Sequence, residues 1–539
     1  MRYHDTVVYL NSLREKISQS LQESSNEDKF ILASNVLSEI NHYIPKLAAD
    51  PNHSLVLEEL FELLVMSLED GGHFGEKREL GLKVLTNLLT SGEFANLAKE
   101  TFGSHVLQTA INCVTSFVKF DKKFDTLLMH IANKIEEECL FELAHHVSGS
   151  YILRSIMSSL VNELYKKKAP TKKHVLEEVH VDKEKIPEWR KEKLFHWGTL
   201  FLKDMKSTSK TTQSSATFSL LVTLLHATDQ LEKEDMLLSI IMETIPLLKN
   251  SKNTSYILQT IMPLCTNVEY TYIYNNLVVK DLENICNDLY LNYVVQSFIE
   301  NSHFQKSHLE FMIENLNIKN LANSKSSSIA WKLCKACIDL YTCQEQFYKK
   351  LLDDFGVKEE NRFWFVVTSA GRSDSEILLS PSGCSVLTYL VKFQKSVIGE
   401  AVSSFKHFLN HAVESGKFVE VCCDVYFSRV LQNVFDVRLA LLPEKYVRKL
   451  LPVFEASLVE LCLDIGGSHV LYGFFSLLRA QDKVALLSKM LDHYETIKSR
   501  NSKFARMVNL SEFKANRKLY IKKLEKNESV RELFKDIVG

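Results

Sequence analysis

The sequence predicts an all-α chain, a superhelical α-solenoid of about eleven repeats. Three features carry that expectation. The 539 residues include only 9 prolines and 17 glycines, too few breakers for the many turns of a sandwich or barrel. A chain this long exceeds one compact core, so it divides into domains or runs as an array. A five-residue pattern also returns along the length: a small polar residue, a variable one, two apolar ones and a further polar one.

The pattern is plain at Ser104-His105-Val106-Leu107-Gln108. Going along the chain, it opens at Ser54-Leu55-Val56-Leu57-Glu58 and passes through Ser104 to Ser150-Tyr151-Ile152-Leu153-Arg154. It continues with Ser255-Tyr256-Ile257-Leu258-Gln259, Asn292-Tyr293-Val294-Val295-Gln296 and Ser428-Arg429-Val430-Leu431-Gln432. Ser468-His469-Val470-Leu471-Tyr472 and Ser502-Lys503-Phe504-Ala505-Arg506 close the series. Weaker members start at Thr217, Ser328 and Cys384. Starts at 217, 255, 292 and 328 lie 38, 37 and 36 residues apart. Longer intervals elsewhere imply loop insertions, which a stacked repeat tolerates because each unit touches only its neighbours.

Each motif should lie on a helix that follows an amphipathic one, such as LLMHIANKIEEECLFELAHH before Ser150. On a helix the first and fifth positions share a face one turn apart, and the second projects beside them. The third and fourth point to the core. An apolar stripe explains the Val-Leu pair but not the recurring polar residues at positions one and five.

These motifs resemble the repeats of the Pumilio-like, or PUF, RNA-binding proteins, in which each helical repeat reads one base with two or three side chains. The resemblance implies base-edge contacts from positions one and five and stacking from position two. Asn292, Tyr293 and Gln296 match the family's uracil pattern. Three sets look like adenine readers: Ser104, His105 and Gln108; Ser255, Tyr256 and Gln259; Ser428, Arg429 and Gln432. Ser54 with Glu58 resembles a guanine pattern, and Ser150, Tyr151 and Arg154 a cytosine one. Ser468 and His469 could also contact RNA, whereas Leu221, Thr388 and Tyr472 are unusual at an edge-reading position and Lys332 suits a phosphate. Phe218 could still stack.

The opening YLNSLREKI and the closing SKFARMVNLSEFKANRKLYIKKLE look like the nucleolar protein nine subgroup. That resemblance implies a curved or C-shaped body with the motif helices on its concave face. It also implies binding of single-stranded or partly structured precursor ribosomal RNA, a role in small-subunit maturation, and a nucleolar or nuclear location, with proteins of the pre-ribosomal particle as further partners. The array would cover residues 1–525, interrupted by a basic insertion at about 165–193 and followed by a tail, 526–539. Two alternatives stay open. One is a messenger-RNA regulator of the ordinary Pumilio type. The other is a protein-binding scaffold of the HEAT or armadillo kind, in which the serines merely start helices and the fifth residues are solvated.

The chemistry agrees with an RNA reading. An amide offers both donor and acceptor to a base edge, while an ionised Glu only accepts. Tyr, His and Arg present planar faces for stacking. Net charge is −2, so any nucleic-acid face needs unevenly placed charge. Lys166, Lys167, Lys168, Lys172 and Lys173 resemble a nuclear-import signal. Lys503, Arg506 and the basic residues after them could hold phosphates through counterion release.

The eleven cysteines sit mostly in helical patterns, which reads as reduced thiols in an intracellular chain. Cys334 and Cys337 form a lone CxxC, better explained by core packing than by a metal. No segment reads as a secretory signal or a membrane span. No HExxH, phosphate-binding glycine loop or nucleophile elbow is present, so neither catalysis nor a cofactor nor a small-molecule substrate is expected.

Overall fold

A computed structural model describes residues 3–23, 25–66, 74–118, 121–162, 181–250, 252–436, 438–439 and 441–533. Among these, all regular structure is helical. The lysines at 166–168 and 172–173 lie outside the described residues. The chain divides into two compact units, Met1–Leu277 and Val278–Gly539.

Eleven helices carry the motif, and we number them alone. In the first unit they are α1 (Ser54–Met66), α2 (Thr101–Val118), α3 (Val147–Leu160), α4 (Thr212–Ala227) and α5 (Lys252–Ile261). In the second they are α6 (Leu291–Ile299), α7 (Ser327–Asp339), α8 (Pro381–Leu390), α9 (Phe427–Val434), α10 (Ile465–Leu477) and α11 (Ser502–Met507). Within each unit every motif helix packs on the next, giving an unbroken ladder of motif helices.

The stretch before Ser150 is two helices rather than one. Lys122–Glu138 ends at Cys139, whose φ of −153° and ψ of 13° leave the helical region, and Leu140–His145 restarts at an angle. Short helices of this kind, such as Phe94–Lys99, recur before motif helices and abut their first turns. Close approach explains two glycines. A Cβ on Gly103 would stand 2.7 Å from the Leu97 carbonyl oxygen, and one on Gly383 would stand 2.0 Å from that of Val367.

Capping sets the register. The N–H of Ser54, Ser104, Ser150, Ser428 and Ser468 donates to the carbonyl four residues earlier, the first bond of each helix. Several of those earlier residues also cap through the side chain. Asp464 Oδ1 accepts from the Gly467 N–H at 2.7 Å, and Asp288 Oδ1 from those of Tyr290 and Leu291 at 2.8 Å each.

The same rule corrects the starts in α4 and α11, and burial of the inward pair corrects the one in α7. In α4 the capping residue is Thr211, so the first position is Ser215 and not Thr217. Phe218 and Leu221 then lie in the core at 0% exposure, and Phe218 cannot stack on a base. In α7 the inward pair is Ile329 and Ala330, both at 0%. The motif therefore starts at Ser327, and Trp331 takes the fifth position. Lys332 is buried against Glu300 at 2.7 Å rather than offered to a phosphate. In α11 the cap Asn501 puts Ala505 first and Arg506 second.

The exit from the insertion is anchored. Helix Glu188–Lys203 buries Arg190 completely. Its guanidinium donates to Asp125 Oδ1 at 2.8 and 2.6 Å and to Asn162 Oδ1 at 2.7 Å. Trp189 Nε1 donates to the other Asp125 oxygen at 3.1 Å. At the far end, helix Arg517–Leu533 runs through residue 525 without a break.

Candidate nucleic-acid interface

The motif helices present a repeated arrangement. The first-position residues are buried: Ser54 at 4%, Ser104 at 8%, Ser150 at 0%, Ser255 at 3%, Asn292 at 2%, Ser428 at 3% and Ser468 at 4%. Second-position side chains stand outward. His105, Tyr256, Tyr293 and Arg429 are exposed, Leu55 is exposed too, and Tyr151 and His469 are half-buried. Fifth-position Glu58, Gln108, Arg154, Gln259 and Gln432 are half-buried beside them, and Gln296 is buried.

First-position hydroxyls are spent on their own helices. Ser104, Ser150, Ser255 and Ser468 Oγ donate to carbonyls three residues back at 2.8, 2.9, 2.6 and 2.9 Å. Such back-bonding satisfies a small buried hydroxyl and accounts for serine there without any ligand. Asn292 Nδ2 does likewise with the Asp288 and Leu289 carbonyls.

Several sets are assembled rather than merely aligned. Gln296 Nε2 donates to Asn292 Oδ1 at 2.9 Å. Arg154 Nε donates to the Ser150 carbonyl at 3.0 Å and lays its guanidinium 4.4 Å from the Tyr151 ring centroid. Stacking and edge-reading candidates therefore touch one another there. Glu58 lies near Glu59 and Glu62, and burial followed by the Glu62 charge pushes its carboxyl up to about 6 against a Thr109 hydrogen bond.

At α7 and α8 the face changes character. Trp331 stacks on Tyr389 with centroids 5.3 Å apart and planes 11° from parallel. Trp331 stands where other repeats place an amide, and its partner Tyr389 follows the fifth-position Thr388 of α8. Trp331 was hidden in the sequence because three consecutive serines, Ser326, Ser327 and Ser328, each fit the first position, and Tyr389 because it falls one residue past the five-residue pattern. Spacing the apolar pairs 329–330 and 333–334 along a helix would have put Trp331 at position five.

The C-terminal basic stretch is only partly offered outward. Lys503 and Arg506 are exposed. Lys514 pairs with Glu495 at 3.2 Å and Lys523 with Glu512 at 3.1 Å. Cys334 and Cys337 are buried, and burial raises both thiols. Among the described residues no three His, Cys, Asp or Glu groups are placed to hold a metal. No described helix is long and apolar enough to cross a membrane.

The model of the NOP9-like PUF repeat domain matches residues 44–502. The solved structure described as APUM23-GGAGUUGACGG superposes with a TM-score of 0.78 at 18% identity, covering 97% of this chain and 99% of that one. APUM23-GGAUUUGACGG gives 0.76 at 17%, covering 97% and 100%. At such identities the likeness shows the fold, a PUF solenoid. No curated protein matches the chain.

Proposed function

Since the chain belongs to the family of NOP9-like PUF repeat domain proteins, a family of RNA-binding repeats, we propose that it binds precursor ribosomal RNA along its motif helices and serves small-subunit maturation without catalysis. In this reading residues 1–525 act as one array, and the protein works in the nucleus or nucleolus by occupying an RNA segment until later factors need it. The family description supports the ribosomal assignment, and the RNA carried by the APUM23 structures supports a single-stranded ligand.

One observation carries the RNA reading: the alternation of buried first, outward second and half-buried fifth positions, with Tyr, His or Arg outward and Gln, Glu or Arg fifth. Stacking faces beside amide edges suit bases. A protein-binding scaffold has no need of that pairing.

The test is binding of labelled GGAGUUGACGG and of a structured RNA at near-physiological salt. A variant with Tyr256→Ala, Tyr293→Ala and Gln296→Ala should bind more weakly, each lost stack costing about 1–3 kcal/mol. Circular dichroism first confirms that it folds. Wild-type protein that binds neither RNA would sink the proposal and favour a protein partner. Tight binding indifferent to the substitutions would move the contact to the basic C-terminal residues.

A further inference from the structure

Where the outward face of α10 ends, a cavity of about 220 Å³ opens between α10, α11 and helix Arg517–Leu533. One wall is Tyr472, the fifth-position residue of α10, which makes a poor edge reader and is 37% exposed. Phe475, one turn along the same helix, continues that aromatic wall. The opposite side exists because α11 stops at Met507 and the chain turns through Asn509, whose φ is 53°. Helix Arg517–Leu533 then returns across the gap. Tyr520 OH donates to the Val508 carbonyl at 3.1 Å, Arg517 to Ser488 Oγ at 2.9 Å, and Glu528 accepts from the Ala480 N–H at 3.1 Å. These bonds tie the closing helix at both ends, so the cavity is part of the fold.

Its lining combines three chemistries. Tyr472 gives a ring face backed by the buried Phe475, Asn509 and Asn527 give amides, and Lys483 and Lys523 give ammonium groups. Lys483 Nζ sits 5.6 Å from the Phe475 centroid, and Lys523 Nζ is held 3.1 Å from Glu512 Oε1, so both cations stay at the cavity. A base stacks on a ring and bonds an amide through its edge, while its phosphate takes a cation. A bare anion would leave the rings unused, and an apolar ligand would leave the lysines unused.

We infer that this cavity holds one nucleotide of the bound RNA, the one lying beyond the tenth motif helix. Its base stacks on Tyr472 and its phosphate meets Lys483 and Lys523. The inference rests on the RNA-binding reading. It gives Tyr472 a sequence-tolerant role, since every base has a face to stack.

The experiment uses full-length protein with methyl-labelled methionine, the Met507 signal being assigned through Met507→Leu. Adenosine, guanosine, cytidine and uridine 5′-monophosphates are titrated in turn, with inorganic phosphate as the comparison. The Met507 methyl should shift saturably with all four nucleotides, and Tyr472→Ala should weaken that response about 5- to 150-fold, the loss of one stack. Lys523→Gln, on an exposed helix face, serves as a second variant and should weaken it as well. A shift reproduced by phosphate alone, or none with any nucleotide, overturns the inference. Tyr293→Ala should weaken GGAGUUGACGG binding and leave the Met507 response intact. RNA binding with a silent Met507 therefore removes the cavity alone, whereas absent RNA binding removes the functional reading itself.

Discussion

Serine recurs at the start of the motif because it is small and can bond backward to its own helix. Ser150 is at 0% exposure with its hydroxyl 2.9 Å from the Val147 carbonyl, so its conservation of form from repeat to repeat follows from packing. The neighbouring second and fifth residues are the ones whose chemistry is left over for a ligand. Glu58, proposed to face a base, shows how environment tunes such a group. Its carboxyl, raised to about 6, binds a proton more tightly in the folded chain than in the unfolded one. The stability this contributes is full below about 4.5 and lost as pH rises through about 6. Glu58→Gln should therefore stabilise the protein at pH 7.5, by no more than about 1 kcal/mol after solvent screening. For the same reason any preference for guanine facing α1, which needs an ionised acceptor, should fade as pH falls from 7.5 to 5.5. Binding of RNAs differing by one guanine across that range checks it, and a constant preference would exclude Glu58 as the reader.

Elements are held in place by a few polar anchors that lie outside the repeated motif. His145 shows one: its ring nitrogens lie 3.1 Å from Thr211 Oγ1 and 3.2 Å from Ser207 Oγ, bridging the short helix before α3 to the start of α4. Burial and then Lys210 lower its pKa. Arg190 is the strongest case. Between a buried guanidinium and Asp125, the loss of one partner leaves the other charge uncompensated. Arg190→Ala should cost about 3–5 kcal/mol, read as a lower denaturation midpoint, and an unchanged midpoint would refute the anchoring role. Much of the helix layout was legible from apolar spacing, because breakers are scarce and the inward pairs repeat. The break at Cys139 was not, since nothing in ECLFE resembles a stop signal and the angle comes from packing of the short helix on its neighbours.

For the whole molecule the near-zero charge matters most. With 65 basic and 67 acidic residues, long-range attraction is weak, and phosphate contacts have to come from local groups such as Lys518 and Lys522, both exposed on the last helix. Each phosphate neutralised on a single strand adds about −0.7 to the slope of log affinity against log salt. Lys518→Gln with Lys522→Gln should then flatten that slope by about 1.4. An unaltered slope would mean that these residues face solvent in the complex.

Helix content, the repeat and the positions of its plainest members were determined by the sequence alone, because 3.6-residue periodicity and recurring small polar residues are local properties of the chain. Register in the serine-rich stretches TTQSSATFS and SKSSSIA was decided only by tertiary structure. Several residues there fit the first position equally well, and only the Thr211 cap in the one stretch and burial of Ile329 and Ala330 in the other select among them. The cavity beyond α10 was likewise invisible in sequence. Its walls come from segments up to 55 residues apart, Tyr472 to Asn527, and they meet because the last helix folds back across a motif helix that ends early.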